Sequence, residues 1–183
     1  MEREETLIPG CAVLSLFSHG DERGDFVKVF QRSAARTAGD DPDIAEIFWS
    51  RSARGVIRGL HFQTPPHAHA KLVTVIAGDV LDVVVDLRIG SPTFGRAVTI
   101  DLAGTRPAAV VVPPGCAHGF QALTDGTIVA YATSTEHVPD ADAGIRWDSV
   151  GAQWPIASPI VSARDSGFPA RADFESPFTF SAP

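Results

Sequence analysis

The sequence predicts an all-β fold, an antiparallel jelly roll built as a β-sandwich or closed barrel. Short runs of strand-forming residues recur between turn signals, and 16 glycines and 14 prolines punctuate the chain. No long apolar pattern of helical period separates the runs, so the crossover helices of a parallel sheet are missing. The strand-type runs are AVLSLF (12–17), AEIFWS (45–50), KLVTVIAG (71–78), VLDVVVDLR (80–88), AVTIDL (97–102), AAVVVPPG (108–115) and TIVAYATS (127–134).

The length and apolar content favour one domain over residues 1–183. A chain of 183 residues that is 44% hydrophobic can close one sizeable core and is short for two. We expect the core to span about residues 10–156. The segment that follows Trp154 is rich in Pro, Ser and Ala, which predicts an irregular C-terminal extension over residues 157–183.

The charge pattern argues against nucleic acid and membrane partners. The net charge is −7 and no extended run of Lys or Arg occurs, so the chain lacks the broad basic surface that nucleic acid requires. No apolar run reaches the length of a signal peptide core or a membrane span, which predicts a soluble cytoplasmic protein. Cys11 and Cys116 are too isolated for a zinc motif and are expected to be thiols.

The run VLDVVVDLR separates two faces of one strand. Leu81, Val83 and Val85 form an apolar face, whereas Asp82 and Asp86 share the other face with valines. A half-polar face lies against solvent or lines a barrel that holds a ligand. Lys71 has the same two interpretations, because it alternates with valines and either reaches solvent at the strand end or points into a cavity.

Two histidines lie at points where the backbone is unusual. Strict alternation places Arg58 and His61 on opposite faces, so they meet only if Gly59 introduces a bulge. His118 follows a Pro-Pro-Gly turn at the start of a strand, and Gly119 leaves room beside it. In isolation, a histidine in such a place is more often structural than catalytic.

A basic strip, RGLHFQTPPHAHAKL (58–72), contains three of the six histidines, and no carboxylate occurs between Ile47 and Gly78. A metal hypothesis uses His67, His69 and His118 as ligands. A carboxylate ligand is missing where metal-binding jelly rolls supply one, and Lys71 would oppose a divalent cation. The strip therefore favours an anion, and His67 and His69 are interpreted as part of a polar hairpin.

Several longer motifs resemble the dTDP-4-dehydrorhamnose 3,5-epimerase family. They run in order from about Gly20 to Asp165, and their number makes the resemblance specific. They are GDERGDFVKVF, GVIRGLHFQTPPHAHAKLV, GDVLDVVVDLRIGSPTFG, VVPPGCAHGF, IVAYATS and IRWDSVGAQWP. The resemblance implies a cupin-like, metal-independent homodimer with no cofactor, acting on a nucleotide-diphospho-4-keto-6-deoxysugar.

The resemblance also implies catalytic roles. Inversion next to a ketone needs a base, stabilisation of the enolate and an acid on the other face. By similarity, His61 is the base and Asp165 orients it. Lys71 steadies the charge that develops on O4, and Tyr131 is the acid.

Substrate-binding residues follow from the same resemblance. Arg23 and Arg58 would bind the diphosphate through planar, bidentate guanidinium groups. The remaining candidates are His118, Asp82, Glu46, Phe48, His137, Asp142 and Arg164.

The nucleotide end departs from the family pattern. Lys28 stands where family members typically have Glu, Glu46 and Phe48 replace a Gln-x-Asn pair, and His137 replaces a stacking aromatic residue. A further family Glu is matched only by Asp142.

We therefore expect an epimerase that inverts C3, C5 or both, with a nucleotide other than dTDP as an open alternative. The rival hypotheses are a metal-dependent cupin oxygenase or isomerase and a non-catalytic sugar-binding jelly roll.

Overall fold

The computed structural model describes residues 2–37 and 43–181. Within these residues the chain forms mostly β-strands, joined by turns and a few short helical segments. The strands are β1 (Arg3–Glu5), β2 (Ala12–Ser15), β3 (Phe17–Asp21), β4 (Gly24–Lys28), β5 (Glu46–Ser52), β6 (Ile57–Gln63), β7 (Lys71–Ala77), β8 (Asp79–Asp86), β9 (Ala97–Ala103), β10 (Ala108–Val112), β11 (Cys116–Ala122), β12 (Thr127–Thr133) and β13 (Asp142–Gly144). The α-helices are α1 (Arg32–Thr37) and α2 (Ala163–Ser166).

The strands form two antiparallel sheets and a separate hairpin. One sheet has the order β1-β2-β10-β7-β12-β5, and the other has the order β13-β6-β11-β8-β9. Among the described residues, strands β3 and β4 pair only with each other. All pairings between named strands are antiparallel, which confirms the jelly-roll prediction.

The main core lies between the two large sheets. Val73, Val110 and Val129 of the six-stranded sheet pack with Val84 and Phe120 of the five-stranded sheet, and all of them are buried. The inner face of β8 therefore lines the barrel interior, as one of the two interpretations of its half-polar face predicted.

A second core covers the outer face of the five-stranded sheet. Leu81, Val83 and Val85 of β8 pack there with Phe62 and with Phe178 of the C-terminal extension. Strand β8 is consequently buried on both faces, which explains its nearly continuous apolar sequence. Outside α2 and a short 3₁₀ turn, the extension is irregular as predicted, but it contributes apolar side chains to this core.

The extension runs beside the start of β6. Val56 and Ile160 form a parallel bridge, and the Ile57 N–H donates to the Ile160 carbonyl over 3.0 Å. This contact brings the extension to the edge of the barrel, where α2 begins. Among the described residues, no helix has both the length and the apolarity that a membrane crossing requires.

Candidate active site

A cavity of about 710 Å³ lies between the two large sheets and reaches the C-terminal extension. The six-stranded sheet, the five-stranded sheet and the C-terminal extension all contribute side chains to its wall. All the predicted site residues except Arg23 and Asp82 line it, namely His61, Lys71, Tyr131, Asp165, Arg58, His118, Glu46, Phe48, His137, Asp142 and Arg164.

His61 and Asp165 form a hydrogen-bonded pair at one side of the cavity. His61 Nε2 lies 2.9 Å from Asp165 Oδ1, and Asp165 Oδ2 accepts the Gly59 N–H over 3.0 Å. The carboxylate is held at the start of α2, where the Ser162 side chain caps the helix by accepting the Asp165 N–H. The structure thus brings together a pair that is separated by about a hundred residues in sequence.

The state of the carboxyl group decides the tautomer of the histidine. Burial opposes ionisation of Asp165, but hydrogen bonds from His61 and Gly59 and the charge of His61 hold the pKa of Asp165 below its ordinary value. An ionised carboxylate only accepts hydrogen bonds, so neutral His61 carries its proton on Nε2. Nδ1 is then the basic nitrogen of the ring.

A bulge at Gly59 allows Arg58 and His61 to face the same cavity. His118 pairs with His61 and Phe120 with Arg58, so β6 has one residue more than β11 over this stretch. Gly59 has φ +124°, and a Cβ there would lie 2.6 Å from the Gly119 Cα. Only glycine fits this close approach of two backbones, and the predicted bulge is confirmed.

Lys71 points into the cavity, so the cavity interpretation of this lysine is correct. Its ammonium group donates to the His61 carbonyl oxygen over 2.9 Å. Burial lowers the pKa of Lys71 to about 8, although the charges of Asp142 and Asp82 act in the opposite direction. A lysine held in this way is a cation whose charge is poorly solvated, and an anionic oxygen in the cavity would stabilise it.

Tyr131 lies on the buried face of β12 with Val129 and Thr133. Burial raises the pKa of Tyr131 well above its ordinary value, so the phenol is protonated at neutral pH. Phe48 stacks on its ring with centroids 4.8 Å apart, and His118 meets it edge-on at 6.1 Å. These contacts orient a protonated phenol in a largely dry part of the cavity.

Asp82 lies behind the cavity wall, so its prediction as a lining residue is wrong. Its side chain is fully buried and accepts a hydrogen bond of 2.7 Å from His118 Nε2. His118 is on the neighbouring strand β11 and lines the cavity, so it lies between Asp82 and the cavity. Asp82 therefore orients a lining residue and does not line the cavity itself.

Arg23 also lies away from the cavity of its own chain. It is in the turn between β3 and β4, its side chain is 85% exposed, and it forms an ion pair with Asp21. No residue of β3, β4 or the turn between them lines the cavity.

The cavity wall also contains the other predicted binding residues, among them those assigned to the nucleotide. Glu46 Oε2 accepts the His137 N–H over 2.8 Å, and Arg164 forms an ion pair of 2.7 Å with Asp142. Arg58 donates to the Ser52 hydroxyl over 3.0 Å. Lys28 is at the end of β4 and does not line the cavity.

The segment with His67 and His69 is not a hairpin. Strand β6 belongs to the five-stranded sheet and β7 to the six-stranded sheet, so residues 64–70 cross between sheets. Local sequence does not reveal which sheet each strand joins. His69 lines the cavity and His67 does not. Within residues 2–37 and 43–181, no group of three or more His, Cys, Asp or Glu side chains is arranged to hold a metal ion.

Sequence analysis missed Gln63 and the role of His69 in the cavity wall. Gln63 lies on the same face of β6 as His61, and this alternation was the available signal. Cys11 and Cys116 are buried free thiols, as expected.

Fold and site together define a class of protein: a cupin-like jelly roll with a histidine–carboxylate pair, a half-buried lysine and a buried phenol around one cavity. The chain belongs to the dTDP-4-dehydrorhamnose 3,5-epimerase family, whose sequence model matches residues 5–173. The enzymes of this family are isomerases.

Three similar proteins illustrate the family. The dTDP-4-dehydrorhamnose 3,5-epimerase of Shigella flexneri is 36% identical over 164 residues, covering 88% of this chain and 91% of its own. A dTDP-6-deoxy-D-glucose-3,5-epimerase from Legionella pneumophila Philadelphia 1, solved with dTDP-4-keto-L-rhamnose, superimposes with a TM-score of 0.93 at 31% identity and covers 99% of both chains. A 3'-monoepimerase from Streptomyces bikiniensis, solved with dTDP-quinovose, has a TM-score of 0.87 at 33% identity, covering 92% of this chain and 87% of its own.

The buried charge of Lys71 predicts a pH-dependent cost to stability. An unfolded lysine has a pKa of about 10.4, so the unfolded chain binds more protons than the folded chain between about pH 8 and 10.4. The free energy of unfolding contributed by Lys71 therefore rises with pH across this window. At pH 7, Lys71→Met should stabilise the protein by roughly 1–3 kcal/mol, and this gain should disappear near pH 10.5.

Urea unfolding of wild type and variant at both pH values measures this difference. Lys28→Met is the matched control, because Lys28 is the other lysine of the chain and is exposed. A Lys71→Met variant that is less stable than wild type at pH 7 would contradict the prediction.

Proposed function

We propose that the protein is an epimerase of a nucleotide-diphospho-4-keto-6-deoxysugar or a related keto sugar, and that it inverts C3, C5 or both. The observation that carries the proposal is the placement of His61, held by Asp165, in the same cavity as Lys71 and the protonated Tyr131. The family relationship supports it, because relatives named for 3,5-epimerisation and for 3'-epimerisation share this fold.

The chemistry begins with removal of a proton from a carbon next to the ketone. The basic nitrogen of His61 takes this proton, the C–H bond breaks, and its electron pair moves into an enolate with negative charge on the ketone oxygen. Asp165 stabilises the resulting imidazolium and keeps the ring oriented.

The enolate is stabilised by Lys71 and quenched by Tyr131. The Lys71 ammonium group is already poorly solvated, so an enolate oxygen beside it gains more from the charge than it would in water. The Tyr131 phenol then gives its proton to the carbon from the other face, which inverts the centre. Tyr131 regains a proton and His61 loses one to solvent before the next turnover, so solvent hydrogen enters the product.

Exchange of solvent hydrogen tests the roles of the base and the acid. In D2O, His61→Ala should lower deuterium uptake next to the ketone by about 10²–10⁴-fold, because the variant lacks the proposed base. Tyr131→Phe should slow reprotonation but retain exchange. NMR of a panel of nucleotide-linked 4-keto sugars gives both rates. His67→Ala is the matched control, since this histidine lies off the cavity wall. Exchange at a near wild-type rate in His61→Ala would refute the assignment of the base.

We also propose that the nucleotide end lacks the strong dTDP preference of the relatives. Glu46, Phe48 and His137 change the hydrogen-bonding and stacking groups offered to a base. Glu46 uses one carboxylate oxygen on the His137 N–H, and the other oxygen is an acceptor suited to the N–H groups of guanine. A GDP-linked sugar is therefore the leading alternative to a dTDP-linked one.

Competition calorimetry with dTDP, GDP, CDP and UDP tests the nucleotide preference. We expect the affinity for dTDP to be less than about tenfold higher than the affinity for the best of the other three nucleotides. A tenfold difference corresponds to roughly 1.4 kcal/mol. A larger preference for dTDP would show that the altered residues are neutral, because a site built for one base rejects others strongly.

We propose further that the protein acts as a homodimer, in which Arg23 binds the diphosphate in the partner's cavity. Arg23 does not reach its own cavity. Phe17 and Phe26 share one face of the β3–β4 hairpin, and each is 59% exposed. Exposed apolar residues of this size typically mark an interface. Buried free thiols fit action in the reducing cytoplasm.

Mixed dimers test which subunit supplies the arginine that binds the diphosphate. Arg23→Ala and His61→Ala subunits, inactive or weakly active alone, should recover about a quarter of wild-type activity when co-expressed, because half of the dimers then contain one intact site. If Arg23 acted within its own chain, both sites of the mixed dimer would stay defective. Activity at the level of the separate variants would therefore overturn the shared site.

A further inference from the structure

Gln63 binds two loops that meet at the nucleotide end of the cavity. Its side chain is 3% exposed, at the last position of β6. The carboxamide contacts the segment 67–69, which belongs to the crossing between the sheets, and the segment 135–138, which follows β12. No step of the proposed chemistry uses this residue.

The orientation of the Gln63 amide is determined by its partners. The Val138 backbone N–H donates to Gln63 Oε1 over 2.6 Å, and a backbone N–H can only donate. The other end of the amide is therefore the NH₂ group. It faces the carbonyl oxygens of His67 at 3.1 Å and Glu136 at 3.2 Å, which can only accept.

This orientation brackets His137 from both sides. Glu136 and Val138, the two neighbours of His137 in the chain, bind opposite ends of one carboxamide. The N–H of His137 itself donates to Glu46 Oε2 over 2.8 Å. The backbone around His137 is thus held at three consecutive residues, and two of the three bonds go to Gln63.

His69 Nδ1 contacts the same NH₂ group and one hydroxyl group. It lies 3.1 Å from Gln63 Nε2, which can only donate, and 3.2 Å from Thr135 Oγ1, which can donate or accept. Accepting a hydrogen from Gln63 requires an unprotonated Nδ1, so this contact favours neutral His69 with its hydrogen on Nε2. Burial and the nearby Lys71 charge lower the pKa of His69 to about 4, in agreement with the geometry. Neutral His69 therefore adds no positive charge next to Lys71.

We propose that Gln63 is a positioning residue for nucleotide recognition: it holds His137 and Glu46 in place for the ligand and keeps His69 uncharged beside Lys71. This inference rests on the proposed function, which defines the nucleotide end. Gln63 acts through its neighbours, because its carboxamide is occupied by protein groups.

Gln63→Met removes the hydrogen bonds while retaining the length of the side chain. We expect the affinities for dTDP and GDP, measured by calorimetry, to fall by about tenfold or more, with the rate of deuterium exchange at saturating substrate within about threefold of wild type. Gln121→Met is the matched control. Gln121 is also buried and binds the backbone N–H and carbonyl of Ile156, but it does not line the cavity. It should lose stability without losing nucleotide affinity.

Gln63→Glu provides a readout that a purely structural role would not change. A carboxylate at this position would accept a hydrogen from His69 Nδ1, so His69 should become protonated at pH 7. Imidazole ¹⁵N shifts report this state, with the His69 signal assigned from its absence in His69→Gln. In the unmodified protein the same spectra should show the Nε2–H tautomer from pH 5 to 8.

The outcomes separate the inference from the proposed function. Failure of the wild-type protein to bind any nucleoside diphosphate would refute the proposed function. Wild-type nucleotide affinity in folded Gln63→Met would overturn the positioning role alone. If Gln63→Met does not fold, the tautomer of His69 in the wild-type protein tests the inference instead. An Nδ1–H tautomer or a protonated His69 at pH 7 would contradict the hydrogen bond from Gln63 Nε2 to His69 Nδ1, on which the inference depends.

Discussion

The Asp165 carboxylate connects the parts of the structure on which the site depends. One oxygen binds His61 Nε2 and the other accepts the Gly59 N–H, so a single side chain orients the histidine and satisfies the backbone of the bulge beside it. Without the bulge, Arg58 and His61 would face opposite sides of β6. Without the carboxylate, the bulge would leave a buried backbone donor unpaired, at a cost of about 1–3 kcal/mol.

The position of Asp165 depends in turn on the burial of the five-stranded sheet from both sides. The extension packs Phe178 against the outer face of this sheet and forms a bridge at Val56, next to β6. These contacts attach the extension to the barrel although none of its described residues forms a regular strand, and the first turn of α2 lies beside the bulge, where Asp165 accepts the Gly59 N–H. A residue of the C-terminal extension thus becomes part of the site.

Local patterns predicted the strands, and the family resemblance supplied the candidate catalytic residues, but neither showed how distant segments are arranged. The alternation around Lys71 left a solvent-exposed position and a cavity position open, and the structure shows Lys71 and Tyr131 in the cavity wall. The crossing at residues 64–70 was mistaken for a hairpin, because only the sheet order shows that β6 and β7 belong to different sheets. Asp82 was misplaced for a related reason, since the sequence of β8 does not show that His118 of the neighbouring strand lies between Asp82 and the cavity. Gln63 was missed because its partners lie on two loops far along the chain.

Buried polar atoms without a hydrogen-bond partner lower the stability of a fold, and their positions in this structure form a pattern. Among the described residues, the buried side-chain atoms without a hydrogen-bond partner are Ser50 Oγ, His69 Nε2 and Asp82 Oδ1. Ser50 and His69 line the cavity, and Asp82 lies directly behind His118. Elsewhere the buried charges are paired: Asp86, for example, binds Arg88, Ser91 and Thr93. A protein selected for stability alone would satisfy such groups or replace them with apolar ones. Their concentration around one cavity, together with the buried lysine, indicates that this region is arranged for a polar ligand and that the rest of the fold supplies the stability it lacks.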